Sequence, residues 1–385
     1  MPNPTTSDPE SVLVSPRERE VFQRDWPAIA AAERSNPPTR ERASAPGTCG
    51  TTPTNEGRGS GRVRVMLRAR SPRDGLTVRV MDEQGRALVD GPLATRVNAL
   101  RAGVVHAGHV VVPAGGWYAL EVLRDGSRIA RVERFGVGEV FVVSGQSNSS
   151  NYGEERFGAL DDRVSSFDGK HWSLACDPMP GAQDTSVGGS PWPLCGSMLR
   201  AALDVPVAFA LSGCGGTSIR EWQHDAFAER DGRRIVLFDA LAQRVEALRH
   251  FRALLWHQGE SDAYDGMDTE RYIALFQRLK HALIDVTGVD SAWMVANTTF
   301  VPSSMDDKPG DVRRANQAQL RRAQQELWSR GIALEGPDTD DLLGDMRHSQ
   351  DGIHFSKRGL EVHAQRWFER LLAQFFAESR PASTG

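Results

Sequence analysis

The chain has 385 residues, of which 39% are hydrophobic and 25% charged, and this composition is typical of a globular protein of about two domains. Its 46 Lys and Arg residues against 50 Asp and Glu leave a net charge of −4, which disfavours nucleic acid or an anionic membrane as a partner. The first residues lack a cationic start followed by an apolar run, and no stretch approaches the about 18 apolar residues of a membrane span, so we expect a soluble protein, either cytoplasmic or exported after loss of a signal.

The first two segments of the chain differ in composition. Residues 1–61 are punctuated by prolines and are predicted to be loosely ordered. Residues 62–137 contain short alternating runs such as Tyr118–Val122, separated by turn pairs such as Asp125 and Gly126. This pattern predicts a small antiparallel β-domain that is accessory to the rest of the chain.

From residue 138 to residue 385 the pattern changes to strands that alternate with amphipathic helices. Parallel strands need crossover connections, so five strands separated by helices predict an α/β domain with a five-stranded parallel sheet covered on both faces. The predicted strands are 138–144, 205–212, 252–257, 291–298 and 331–335, and the predicted helices are 192–203, 234–249, 269–286, 312–330 and 357–377.

A serine follows the first strand of this predicted sheet. The apolar run Val140–Val143 is followed by Gly145, Gln146, Ser147 and Asn148. Open α/β folds bind ligands at such strand ends, where the amides of the next helix are free to bind developing negative charge. Ser147 is therefore the candidate nucleophile, with a helix cap as the alternative role. The string lacks the second glycine of a Gly-x-Ser-x-Gly elbow, which indicates a scaffold other than the α/β-hydrolase fold.

Glycines follow the second predicted strand. Gly215 and Gly216 lie between Ser212 and Thr217. Consecutive glycines let the backbone approach a ligand and present N–H groups to it, which suits an oxyanion hole. The alternative is a tight turn with no part in the chemistry.

A histidine near the last predicted helix has an aspartate three residues before it. Asp351 and His354 can form a tight turn in which the carboxylate braces one imidazole nitrogen while the other faces Ser147. Glu260, in the string Trp256–Asp262 after the third predicted strand, is the alternative support for His354. The expected catalytic residues are thus a serine, an aspartate and a histidine in this chain order.

The strings Gly-Gln-Ser-Asn, Gly-Gly-Thr, Trp-His-Gln-Gly-Glu-Ser-Asp and Asp-Gly-Ile-His occur in this order. Together they resemble the SGNH (GDSL-like) hydrolases, most closely the sialate O-acetylesterase and related carbohydrate acetylesterase branch. The resemblance implies a three-layer α/β/α sandwich and removal of O-acetyl groups from a carbohydrate, either sialic acid or another glycan. It further implies an oxyanion hole made by the amide of Ser147, the amide of Gly215 or Gly216 and the side chain of Gln258. Neither a metal nor an organic cofactor is expected.

Weaker expectations concern the substrate and the cysteines. Aromatic groups at strand ends suit sugar stacking, although large aromatics are more often core residues. Two other functions stay open, which are a carbohydrate-binding protein without catalysis and an esterase for non-sugar acyl esters. The four cysteines, Cys49, Cys176, Cys195 and Cys214, are expected as free thiols, with a Cys176–Cys195 disulfide as the alternative in an exported protein. The substrate-binding candidates are Asn148, Arg220 and Trp222, followed by Tyr152, Trp172 and Trp192.

Overall fold

A computed structural model describes residues 11–25, 58–101, 103–299, 301–302 and 308–376. The first strands are β1 (Val12–Ser15), β2 (Glu20–Gln23), β3 (Ser60–Ala69), β4 (Leu76–Met81), β5 (Ala87–Pro92), β6 (Thr95–Leu100), β7 (Gly103–Pro113) and β8 (Gly115–Arg124). The later strands are β9 (Ser127–Gly145), β10 (Val164–Phe167), β11 (Trp172–Leu174), β12 (Val207–Leu211), β13 (Ala228–Arg230), β14 (Arg233–Ile235), β15 (Ala253–His257), β16 (Trp293–Val295) and β17 (Leu334–Glu335). The α-helices are α1 (Trp192–Leu203), α2 (Leu237–Leu248), α3 (Glu260–Asp265), α4 (Thr269–Thr287), α5 (Gly310–Ser329) and α6 (Lys357–Phe375).

Antiparallel strands dominate the first part of the chain. Strands β1, β3, β7 and β6 form one sheet in this order, and β5, β4 and β8 add antiparallel strands beside the first half of β9. Asp125 and Gly126 both have positive φ and make the tight turn between β8 and β9. The alternating runs predicted between residues 62 and 137 therefore form strands.

The prediction of a loosely ordered segment over residues 1–61 does not hold for Val12–Ser15 or Glu20–Gln23. The first of these runs pairs with β3, and the second pairs with β9. Each run is only four residues long and has prolines nearby, which hides it in the composition. Residues 1–10 and 26–57 lie outside the described part of the chain.

Strand β9 passes through the predicted domain boundary at residue 138 without interruption. Its last part, Glu139–Gly145, lies between the parallel strands β12 and β15. The sheet order is β11-β10-β12-β9-β15-β16-β17, and every neighbouring pair is parallel except β10 and β11. All five predicted strands are present, but the predicted number is too low because β10 adds a sixth parallel strand. Val164–Phe167 contains two serines, so its sequence does not read as an apolar strand.

Helices cover both faces of this sheet. Phe141 and Val143 of β9 pack with α1 and α6 in one apolar cluster, whereas Val140 and Val142 pack with α2, α4 and α5 in another. Successive side chains of a strand point to opposite faces, so a strand buried on both faces is apolar throughout. The sheet is therefore the middle layer of three, and its carboxyl edge is where β9, β12 and β15 end together.

Local signals position the helices beside that edge. The Asp268 carboxylate accepts the Arg271 N–H at 2.9 Å and caps α4, and the Ser356 hydroxyl caps α6.

Cys176 and Cys195 are both free thiols, so the alternative of a disulfide between them does not occur. In the described ranges, no helix combines the length and apolarity that crossing a bilayer requires.

Candidate active site

Ser147 lies on a short 3₁₀ turn directly after β9. Gly145 has a φ of +127°, and a Cβ at this position would lie 2.1 Å from the carbonyl oxygen of His257 on β15, so only glycine permits the approach. The Gln146 N–H donates to the same carbonyl at 2.9 Å. The end of β9 is thereby held against the end of β15, which places Ser147 at the carboxyl edge of the sheet.

Asp351 and His354 form the predicted turn. One carboxylate oxygen of Asp351 accepts the N–H groups of Ile353 and His354 at 2.9 and 3.0 Å, and the other lies 2.7 Å from Nδ1 of His354. Burial alone raises the pKa of Asp351, but the hydrogen bonds from His354 outweigh burial and lower that pKa to about 2. An ionised Asp351 fixes the proton on Nδ1 and leaves Nε2 as the basic nitrogen. The Tyr152 ring packs against the imidazole with a centroid separation of 4.8 Å.

Ser147 and His354 line one cavity of about 540 Å³ at the carboxyl edge of the sheet. Within the described ranges, no hydrogen bond joins the Ser147 hydroxyl to the imidazole. Catalytic hydrogen bonds are often long or poorly aligned without substrate and tighten in the substrate complex. The structure therefore brings the predicted nucleophile and base to one cavity, with room for a small acyl group beside them.

The glycine loop after β12 is fixed by Asp184. The Gly215 N–H donates to Oδ2 of Asp184 at 2.5 Å, and the Tyr152 hydroxyl donates to the same oxygen at 3.1 Å. The amide of Gly215 is thus already paired and cannot serve as the expected oxyanion donor. For the N–H groups of Gly216 and Ser147, the described part of the chain supplies no acceptor. Both residues line the cavity, so these two amides can face a ligand.

Gln258 does not reach the cavity, contrary to its expected role in the oxyanion hole. Its side chain is fully buried, and Nε2 donates to the Thr217 carbonyl at 2.9 Å and to the Asp262 carboxylate. Asp262 in turn accepts the hydroxyl and N–H groups of Ser218 and Ile219, respectively. The amide of Gln258 therefore holds the glycine loop against α3, which is a structural task.

Glu260 contacts groups other than His354. Its Oε1 accepts from Nδ2 of Asn148 at 3.2 Å and from the Thr299 N–H at 3.1 Å, and it lies 3.8 Å from Nε2 of His257. Asn148 is itself buried and holds Glu260, which differs from its expected role as a substrate contact. The carboxylate behind His354 is thus Asp351.

Most of the expected sugar-binding side chains pack in the core. Trp222 is fully buried, and its indole N–H donates to the Thr217 hydroxyl at 3.0 Å. Arg220 lies beside the cavity through its 3.2 Å ion pair with Asp265, which lines it. Tyr152 is the one aromatic candidate that lines the cavity in the described ranges. The three tryptophan candidates, Trp172, Trp192 and Trp222, do not line it.

The described residues lining the cavity include three carboxylates and no Lys or Arg. Glu221 pairs with Arg230 at 3.2 Å, as Asp265 does with Arg220, whereas Oε2 of Glu260 is buried without a hydrogen-bond partner. The wall of the cavity therefore combines carboxylates and hydroxyls with apolar groups such as Val301 and Ile353, and no described Lys or Arg lines it. In the described part of the chain, no group of three or more His, Cys, Asp or Glu residues is placed to hold a metal ion.

Two residues of the site carry little sequence signal. Gln146 lies in the Gly-Gln-Ser-Asn string and lines the cavity, but a glutamine at this position does not by itself indicate a catalytic role. Asp184 lies in a loop without a motif and reaches the glycine turn only through the fold.

Comparisons with known proteins identify the family and the fold of the chain. The family model described as "Carbohydrate esterase, sialic acid-specific acetylesterase" matches residues 137–373, which include Ser147, Asp351 and His354. No curated protein sequence matches the chain. A carbohydrate acetylesterase from Xanthomonas citri has a similar structure, with a TM-score of 0.55, 16% identity and coverage of 94% of this chain and 74% of its own, and this likeness shows the fold alone.

Two other solved structures are less similar. A protein from Arabidopsis thaliana has a TM-score of 0.49 and 18% identity, with coverage of 62% of this chain and 98% of its own. An acetylxylan esterase from Geobacillus stearothermophilus has a TM-score of 0.38 and 13% identity, with coverage of 64% and 97%. These scores carry no argument, whereas the family model spans more than half of the sequence. The chain therefore belongs to the carbohydrate esterase family of sialic acid-specific acetylesterases and is a carboxylic ester hydrolase.

Proposed function

We propose that the protein removes O-acetyl groups from a carbohydrate through a covalent acetyl-enzyme on Ser147. The observation that carries this proposal is the 2.7 Å contact between Asp351 and Nδ1 of His354 in the cavity that Ser147 lines. With Nδ1 held by the carboxylate, Nε2 is the nitrogen that can accept the serine proton.

The reaction follows from these roles. The Ser147 oxygen attacks the acetyl carbonyl carbon while Nε2 of His354 takes the hydroxyl proton, and Asp351 stabilises the imidazolium. The sugar oxygen then leaves with that proton, and the acetyl group stays on the serine. Water adds to the acetyl-enzyme with His354 again acting as base, so acetate departs and the hydroxyl of Ser147 is restored.

The developing oxyanion needs donors that are already in place. The N–H groups of Ser147 and Gly216 have no acceptor in the described ranges, and both residues line the cavity. We assign them as backbone donors, because preorganised N–H groups are the usual stabilisers of a tetrahedral intermediate. Gly215 contributes by holding the loop through Asp184.

Two other functions are less well supported. A carbohydrate-binding protein without catalysis has no need for the Asp351–His354 pair next to a serine. An esterase for non-sugar esters is less well supported because the family model that matches residues 137–373 describes carbohydrate esterases. Acetate release from acetylated sugars compared with an aryl acetate separates the three functions, since a binding protein releases none and a general esterase prefers the aryl ester.

The charge of the cavity gives a prediction about the sugar. We expect kcat/KM to be at least about tenfold higher for an O-acetylated neutral oligosaccharide than for an O-acetylated sialic acid, because like charges brought together in an interface are costly. The sialic acid carboxylate would meet Glu260, whose Oε2 has no hydrogen-bond partner, and no Lys or Arg is among the described lining residues. The other two carboxylates, Glu221 and Asp265, are balanced by ion pairs with arginines outside the lining. Acetate release is measured for both substrates under identical conditions.

The matched control is the methyl ester of the same O-acetylated sialic acid, in which the carboxylate is neutral. Its kcat/KM should rise towards that of the neutral sugar. A free sialic acid that is hydrolysed faster than its methyl ester would show that the site recognises the carboxylate, and the prediction would then be wrong.

We also assign catalysis to residues 138–385 and an accessory role to residues 62–137. Every described residue that lines the cavity lies between Gln146 and His354, so strands β1 to β8 contribute none of them. The acetylated carbohydrate is thus bound by the α/β part of the chain.

A further inference from the structure

The side-chain amide of Gln146 is held in one orientation. Its Oε1 accepts the N–H of Gly259 at 3.0 Å and that of Ser261 at 3.4 Å, and Nε2 of Gln258 approaches the same oxygen at 3.3 Å. A flipped amide would place a donor against three donors, so the positions of oxygen and nitrogen follow from the network. The assignment of Nε2 to the opposite side of the amide is therefore secure.

Nε2 of Gln146 takes no part in this hydrogen-bond network. Gln146 is only 3% exposed, and it lines the same cavity as Ser147 and His354. Within the described ranges, Nε2 donates to no protein group, although Oε1 is fully used. Because both N–H groups of Nε2 are free of protein partners and the residue lines the cavity beside the nucleophile, this amide nitrogen is available to a ligand.

Two of the donors expected for an oxyanion hole are already engaged. Nε2 of Gln258 donates to Thr217 and Asp262 behind the cavity, and the Gly215 N–H donates to Asp184. The backbone amides of Ser147 and Gly216 remain, and they form two corners of an oxyanion hole. A side chain that lines the cavity next to the serine can supply a third donor.

We propose that Nε2 of Gln146 is this third donor and binds the acyl oxygen as it becomes negatively charged. The proposal rests on the proposed function, because it needs a tetrahedral intermediate on Ser147. Gln146 then acts in both halves of the reaction, since the same oxygen is negatively charged during formation and breakdown of the acetyl-enzyme. The amides of Gly259 and Ser261 position it by holding Oε1.

The test compares two variants of Gln146 with a matched variant of Gln258, with an O-acetylated oligosaccharide and an aryl acetate as substrates. Gln146→Met removes the donor without adding charge, and Gln146→Glu removes it while keeping an acceptor for Gly259 and Ser261. Both should lower kcat by about 10²–10³-fold with little change in KM, as expected when one oxyanion donor is lost. Gln258→Met should lower the melting temperature but reduce kcat by less than about tenfold.

A second readout separates a catalytic from a structural role. A trifluoromethyl ketone that forms a tetrahedral adduct with Ser147 should bind more weakly to the Gln146 variants, in proportion to their loss of kcat. If Gln146→Met does not fold, Gln146→Glu still tests the inference, since it keeps the contacts of Oε1 and its added charge can only deepen the loss of kcat, so retained activity would overturn the inference. A kcat within about threefold of the parent value in a folded Gln146 variant, or a rise in KM alone, overturns the inference.

The Ser147→Ala variant in the same assay separates this inference from the proposed function. If Ser147→Ala keeps the parent rate, the acetyl-enzyme itself is wrong. If Ser147→Ala is inactive and Gln146→Met is fully active, only the role of Gln146 is wrong.

Discussion

Replacing Ser147 by Ala is expected to lower kcat for acetate release by about 10⁴-fold or more, the scale seen when the nucleophile of a catalytic triad is removed. The substitution deletes one hydroxyl group, and that hydroxyl makes no hydrogen bond to another described residue, so the fold should not suffer. Binding of the acetylated sugar should persist, because the rest of the cavity wall is unchanged. The measurement is acetate release under saturating substrate.

Ser149→Ala is the matched control for this variant. Ser149 lies on the same 3₁₀ turn but is fully buried, and its hydroxyl donates to the Gln146 carbonyl at 2.7 Å. Its loss should therefore affect stability more than turnover. Parent-like acetate release by Ser147→Ala, together with an inactive but folded Ser149→Ala, would move the nucleophile to the other serine.

Replacing Asp351 by Asn is expected to reduce kcat by about 10⁴-fold, the effect of the same change in a serine-protease triad. The oxygen that accepts the N–H groups of Ile353 and His354 can be retained, so the turn keeps its shape. An amide NH₂ then faces Nδ1 of His354, which favours the tautomer with its proton on Nε2 and removes the base. The negative charge that stabilises the imidazolium is lost as well.

Glu260→Gln is the matched control, because it tests whether the other candidate carboxylate supports His354. A glutamine keeps the acceptor used by Asn148 and Thr299, and it adds an NH₂ group only at the position where Oε2 has no partner. The expected loss of kcat is therefore less than about tenfold. An inactive Glu260→Gln beside an active Asp351→Asn, with both melting near the parent temperature, would make Glu260 the carboxylate that supports His354.

The sequence predicts the core of the fold better than its edges. The apolar runs that form β9, β12 and β15 are buried on both faces of the sheet. Such strands are easy to recognise in a sequence because nearly every residue is apolar. The sequence does not indicate strand β10, because two buried serines, Ser165 and Ser166, interrupt its apolar pattern. Short strands such as β17 depend on pairing with a neighbour, which a single sequence does not show.

The resemblance to carbohydrate acetylesterases is confirmed by the family match over residues 137–373. The pairing of Asp351 with His354 could be foreseen because three residues along the chain place the two groups in one turn. The allocation of oxyanion donors could not, since it depends on which amides other side chains have already taken. Asp184 pairs with Gly215 from 31 residues away in the sequence. Asp262 is only four residues from Gln258, but its sequence position does not show that it takes the Gln258 amide.

The substrate contacts are the least predictable part of the site. Trp222 lies five residues after the Gly-Gly-Thr string and Trp192 begins α1, yet both side chains are fully buried. A tryptophan near a strand end can pack in the core, which is the commoner case, or stack on a sugar, and only the direction of its side chain decides. Of the carboxylates of the cavity wall, Glu260 and Asp265 begin and end α3, whereas Glu221 follows the glycine loop.

The central claim of this account is that an acetyl group from the sugar is transferred to Ser147 before water releases it. The most direct measurement is peptide mass spectrometry of enzyme that is acid-quenched while it hydrolyses an O-acetylated oligosaccharide. We expect one added acetyl group on the peptide that contains Ser147, located on that serine by fragmentation, and no such label in Asp351→Asn or Ser147→Ala. Full turnover with the acetyl group on another residue, or with an unlabelled Ser147 and no burst of product from an aryl acetate, would contradict the account.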